Sequence, residues 1–155
     1  MSLLLAVLLS AALPVPFVAQ QKDTCAAAAL AMVMGYWQVP VSQDEIAAAL
    51  LSPELHGIAG SRLRDFARDR KLQAIAYAGD MEHLREYLAK GRPLIVAWKM
   101  GRGRYHDVVV IGFEGDAVLV NDPDAGPGRS VPASTFEKRW AGAGHWTLLV
   151  LPEPR

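Results

Sequence analysis

The stretch CAAAALAMVMGYW at residues 25–37 carries no charged side chain and no polar stripe. A helix that is apolar around its whole circumference has to be buried on several sides, not along one face. It therefore belongs at the centre of the fold, with the other elements packed round it. Pro14 and Pro16 predict an extended entry over 14–22. Asp23 or Thr24 can cap the helix, which the pattern places from about Cys25 to Trp37. The only cysteine of the chain stands at its first turn, just after Gln20 and Gln21.

The remaining elements follow from periodicity and punctuation. Ser42 and Glu45 form a capping box for a second helix. A glycine-rich connection at 57–60 leads to a charged helix over about 61–71. KLQAIAYA alternates as a strand, and DMEHLREYLAKG reads as a short amphipathic helix closed by Gly91. PLIVAW, HDVVVIGF, DAVLVND and WTLLVLP read as strands, with ASTFEKRW as a helical turn. Helices first and antiparallel strands after them predict an α+β domain, with the central buried helix packed on the sheet.

Composition narrows the function. Sixteen basic residues balance sixteen acidic ones, which gives no basis for a nucleic-acid partner. A single cysteine excludes an internal disulfide, and with four scattered histidines it argues against a structural metal site. No cofactor is implied. MSLLLAVLLSAAL, residues 1–13, has the length and composition of a signal-peptide core, with Ser10, Ala11 and Ala12 near a cleavage site. No lysine or arginine precedes it. The expectation is an exported protein, periplasmic or secreted, with an uncleaved membrane anchor as the alternative and a domain over 14–155.

HDVVVIGFEGDAVLVND predicts a hairpin turning near Glu114–Gly115. Symmetry about residue 114 places His106 directly opposite Asp122, and Val108 opposite Val120. A slip of one residue would offer Asn121 instead. Asp122 also opens a turn signal, DPDAG, and can cap that turn. Thiol, imidazole and carboxylate together are the parts of a nucleophilic site. A helix N-terminus and an imidazolium favour the thiolate, the carboxylate orients the ring, and the imidazole protonates the leaving amine. The Cys25 N–H with a side-chain amide from Gln20 or Gln21 would supply an oxyanion hole.

Other residues are assigned humbler places. His56 is read as a loop residue, His83 as helix surface, His145 as a turn before the last strand, and Trp140 and Trp146 as packing at the sheet end. KMGRGRYH, with Lys99, Arg102 and Arg104, is read as a solvated hairpin approach or a rim that contacts acidic substrate.

VPFVAQQKDTCAAAALAMVMGYWQVPVSQDEIA resembles the opening of the bacteriocin-processing cysteine peptidases, cysteine peptidase family 39, which are papain-like. GRPLIVAW, HDVVVIGF, VLVNDPDAG, STFEKRW and the last aliphatic strand extend the resemblance over nearly all of the chain after residue 14. It implies Cys25 as nucleophile, His106 as base, Asp122 as its partner and Gln20 as the oxyanion glutamine. It also implies a peptide or protein substrate, a stand-alone member, and a preference for small residues ahead of the scissile bond. The family commonly has glycine beside the nucleophile where this chain has Ala26. A Cβ there would crowd a substrate backbone, which favours the alternative of a weak or inactive peptide-binding member. Acyl transfer through the same triad is a third reading. Oligomeric state has no signature in the chain.

Overall fold

The computed structural model describes residues 12–154. The expected signal segment lies outside the described residues except for Ala12 and Leu13. Eleven elements follow in order: α1 (Cys25–Tyr36), α2 (Gln43–Leu50), α3 (Gly60–Asp69), β1 (Gln73–Ala78), α4 (Met81–Ala89), β2 (Leu94–Lys99), β3 (Tyr105–Glu114), β4 (Ala117–Asp122), β5 (Gly126–Val131), α5 (Ala133–Gly142) and β6 (Trp146–Leu151). The strands form one antiparallel sheet in the order β1-β6-β2-β3-β4-β5. This is the α+β arrangement that the sequence predicts.

Helices cover the sheet on both faces. Ile95, Val109, Ile111 and Leu148 join the residues of α1–α3 in one core. Their strand neighbours Val96, Val108, Val110 and Leu149 join Leu84, Leu88, Phe136 and Trp140 from α4 and α5 in the other. Burial on two faces is why these strands read as unbroken aliphatic runs. The helix α1 is buried from Ala26 through Met34, as its composition requires. Its alanines set how closely the sheet and neighbouring helices approach. Ala29→Leu is therefore expected to overpack this core and cost about 1–3 kcal/mol, read as a lowered denaturant midpoint.

Two local expectations need correction, and the structure adds a strand. Neither Asp23 nor Thr24 caps α1 through its side chain. Asp23 sits at φ 61, and the Thr24 hydroxyl is occupied elsewhere. The hairpin is not symmetric about residue 114. Its loop is Gly115–Asp116, so Glu114 faces Ala117, and a bulge at Ile111 then sets Val110 opposite Val120. Continuing that register places Asp122 across from Val108, so His106 lies diagonal to Asp122. The offset from the expected pairing is two residues, which keeps both side chains on one face. Finally, GPGRSV forms β5, an edge strand with Pro127 on the sheet's rim, where a lost donor is tolerated.

The bulge has a packing cause. A Cβ on Gly112 would stand 3.2 Å from the Ala12 Cα. The Leu13 N–H donates to the Ile111 carbonyl at 2.8 Å. The incoming chain thus crosses β3 where glycine lets it approach.

Candidate active site

The outer end of β3 and the first turn of α1 meet at a cleft of about 230 Å³. Gln20, Cys25, His106 and Asp122 all line it, together with Arg104 and Asp124. The four residues singled out in the sequence are thus brought to one place.

His106 Nε2 and Asp122 Oδ1 lie 2.6 Å apart, and each side chain is 13% exposed. That contact leaves Nδ1 as the ring nitrogen available to the thiol. Burial works against charge on His106 more than any other influence. The hydrogen bonds to Asp122 and Cys25, and then the charges of those two groups, outweigh it and push the pKa up from 6.5 to about 10. Asp122 responds in the opposite sense. Burial favours its neutral form, but hydrogen bonds from His106 and Asp124, the charge of His106 and the Ala125 N–H hold its pKa below the usual value. The turn-capping role and the His106 contact therefore coexist: Asp122 Oδ1 also accepts from Asp124 N at 2.9 Å and Ala125 N at 3.3 Å. Asn121 is excluded as the ring's partner. It is buried, donating to Val15 O at 3.2 Å and accepting from Gly128 N at 3.0 Å.

The two glutamines part company. Gln20 faces the cleft, and its side-chain Oε1 is buried without a hydrogen-bond partner among the described residues. Gln21 lines a separate hollow with Pro16, Val18 and Gln43. The Gln20 N–H donates to the Pro123 carbonyl at 2.9 Å, which ties the segment before Cys25 to the turn after Asp122. The two halves of the site are joined through backbone.

Gln43, unremarked in the sequence, holds the approach to Cys25. Its Nε2 donates to Ala19 O at 2.6 Å, and its Oε1 accepts from Thr24 Oγ1 at 2.9 Å and from Gln21 N at 3.3 Å. The Gln21 N–H also donates to Thr24 Oγ1 at 2.8 Å. This clamp takes up the hydroxyl that would otherwise cap α1. The Cys25 N–H donates to no described group. Only a helix position next to a capping serine pointed toward Gln43, which is too weak a signal to find it.

Trp98 is the second residue the sequence did not single out. It faces His106 across β2 and β3, is 1% exposed, and its ring centroid lies 6.4 Å from the imidazole. Its indole packs beside the imidazole from the neighbouring strand, and its Nε1 is buried without a hydrogen-bond partner among the described residues. Trp140 is buried as expected, with Nε1 donating to Trp146 O at 3.2 Å. Trp146 does more than pack, since it walls a groove beside the cleft. His83 pairs with Asp80 on the surface and His145 with Glu137 in the turn. His56 reaches the cleft rim, 3.7 Å from Asp23, and both residues hold positive φ. Arg104 lines the cleft, whereas Lys99 faces a hollow on α5. Ala26 is only 3% exposed, so its methyl presents little surface to a substrate.

The Peptidase_C39-like family model matches residues 12–147. The chain belongs to that family. A search of curated proteins gives no match. Among solved structures, a double-glycine-motif protease from an AMS/PCAT transporter, in complex with its leader peptide, is 26% identical. That match covers 91% of this chain and 94% of that one, with a TM-score of 0.75. The fold is shared with a C39-like peptidase from Bacillus anthracis (18% identity, 92% and 96% coverage, TM-score 0.75). It is shared as well with the peptidase domain of Streptococcus ComA (21% identity, 88% and 98% coverage, TM-score 0.76). Family and fold are those of cysteine peptidases.

Proposed function

We propose that this C39-like protein is an active cysteine peptidase, with Cys25 as nucleophile, His106 as acid and base, Asp122 as the group that orients His106, and Gln20 as an oxyanion donor. The observation that carries this is the convergence of all four on one cleft around the 2.6 Å His106–Asp122 contact. The sulfur attacks the scissile carbonyl, and the charge that develops on oxygen is met by the Cys25 N–H and the Gln20 amide. His106 gives its proton to the leaving amine, and the thioester forms. Water, deprotonated by His106, then attacks the thioester and releases acid and thiol.

Two features support a working site over an inert relic. The first turn of α1 is uncapped although two capping residues precede it, which leaves its donors and its positive end to the sulfur. The buried Gln20 Oε1 has no hydrogen-bond partner among the described residues, a cost of about 1–3 kcal/mol that a substrate N–H donor could recover. Ala26 lines the groove beside Cys25 but is only 3% exposed, which weakens the sequence argument for an inactive member.

The test is incubation with an unbiased peptide library and detection of new amino termini by mass spectrometry. Cleavage is expected in the wild type and none in Cys25→Ala. Equal products in both, or none in either, would sink the proposal. Products in which an added amine replaces water would identify acyl transfer instead. Gln20→Ala is expected to lower kcat by about 10²–10³-fold with little change in KM, as loss of an oxyanion donor does.

The leader peptide bound by the transporter protease favours a peptide substrate here as well. Export through residues 1–13 is part of the proposal. It predicts that residues 1–13 direct a fused reporter out of the cytoplasm.

A further inference from the structure

The face of β3 that packs on α1 reads Ile111, Val109, Asp107. The first two are buried aliphatics, and the pattern calls for a third at 107. A carboxylate stands there instead, opposite Ala97 on β2. It lines two adjoining hollows. One, of about 630 Å³, it shares with Cys25, Ala26, Arg104 and Tyr105. The other, of about 460 Å³, it shares with Ile58, Gly60, Ala97 and Trp146. No hydrogen bond or ion pair of the Asp107 side chain is found among the described residues.

An unpaired, half-buried carboxylate costs free energy that a structural residue would not need to incur. Burial accordingly raises the pKa of Asp107 from 3.8 to about 6, with the charge of His106 opposing. The group is still ionised at neutral pH. Asp23, His56, Arg104 and Tyr105 face the same groove from the neighbouring segments, and Arg104 makes no ion pair with Asp107. The second hollow combines apolar walls with an anion at its inner end. That suits a long aliphatic stem carrying a positive charge, which gains from both.

We propose that Asp107 is the specificity-determining residue of a subsite that receives a lysine or arginine side chain of the substrate, close to the scissile bond. The proposal rests on the peptidase reading for its location, and its test is a binding measurement that does not need turnover. In full-length Cys25→Ala protein, fluorescent hexapeptides in which one lysine, or one norleucine, is walked through an alanine–glycine background are titrated by anisotropy. At pH 7.5 one position is expected to bind lysine at least tenfold more tightly than norleucine, the scale of a desolvated charge-assisted contact. The ratio should fall toward one in Cys25→Ala/Asp107→Asn. In Cys25→Ala alone it should shrink as the pH is lowered from 7.5 through 6 to 5, an arm that needs no substitution at 107.

Lysine preference at no position, or a preference that survives Asp107→Asn or pH 5, overturns the subsite. Failure of the two readings is separable. Cleavage by wild-type protein without lysine-selective binding sinks only the subsite. Lysine-selective binding without any cleavage sinks only the peptidase reading.

Discussion

His106→Ala is expected to slow iodoacetamide alkylation of Cys25 by roughly 10²-fold near pH 6. In the folded protein the imidazole keeps its proton up to about pH 10, because Asp122 and the Cys25 sulfur outweigh the penalty of burial. An imidazolium therefore stands beside the sulfur across the whole neutral range, and a thiolate there is one half of an ion pair. Removing the ring takes away the cationic partner and leaves only the helix terminus to favour the reactive thiolate. Peptide cleavage should fall by roughly 10³-fold or more, since the leaving amine loses its proton donor as well. Alkylation profiles that coincide in the two proteins would show that Cys25 and His106 do not interact, and the proposed mechanism would fail with that result.

The parts of this site that could be read in the chain were those written in local pattern. A charge-free helix with the cysteine at its first turn is a composition signal, and its burial follows whatever packs against it. Ser42 and Glu45 are a local box, and the Ser42 hydroxyl does accept from the Glu45 N–H at 3.1 Å. The His106–Asp122 contact was legible for a sturdier reason than its register. The register was off by two residues, yet an even offset leaves a strand's faces unchanged, so the same two side chains still met.

What was illegible depends on contacts between distant segments. Gln43 clamps residues 19–24 from another helix, and nothing in its neighbourhood of sequence encodes that reach. The clamp also explains why Thr24 fails to cap α1. Trp98 falls beneath His106 only once β2 is paired with β3 in one register. The strand β5 was hidden by Gly126, Pro127 and Gly128, residues that mark turns everywhere except on a sheet's rim. Asp107 was passed over for a similar reason: beside His106 in the sequence, it reads as strand polarity until α1 is set against that face.

Asp122→Asn separates the charge of the carboxylate from its geometry, and its largest effect is expected on the alkaline limb of activity. In the wild type, kcat/KM should decline only as the pH approaches about 10, where His106 loses its proton. The asparagine can still accept from the 124 and 125 amides and from the ring, so the turn and the imidazole's orientation survive. Its neutral amide no longer holds the proton. Burial, the largest single influence on His106 and one that favours the neutral ring, is then opposed by the sulfur alone, and the limb should move toward neutrality by a unit or more. Stability carries the same sign. A His106 pKa raised from 6.5 to about 10 contributes stability that is complete below pH 6.5 and lost as the pH rises through 10. The gap in unfolding free energy between wild type and Asp122→Asn should therefore be widest at or below about pH 6.5 and close toward pH 10, until acid protonates Asp122 itself. Asp122→Ala removes the orienting acceptor as well and should cost about 10²-fold or more in turnover at neutral pH. An alkaline limb that stays in place in Asp122→Asn would mean that the proton on His106 is held by something other than this carboxylate, and Asp122 would be left as the cap of its own turn.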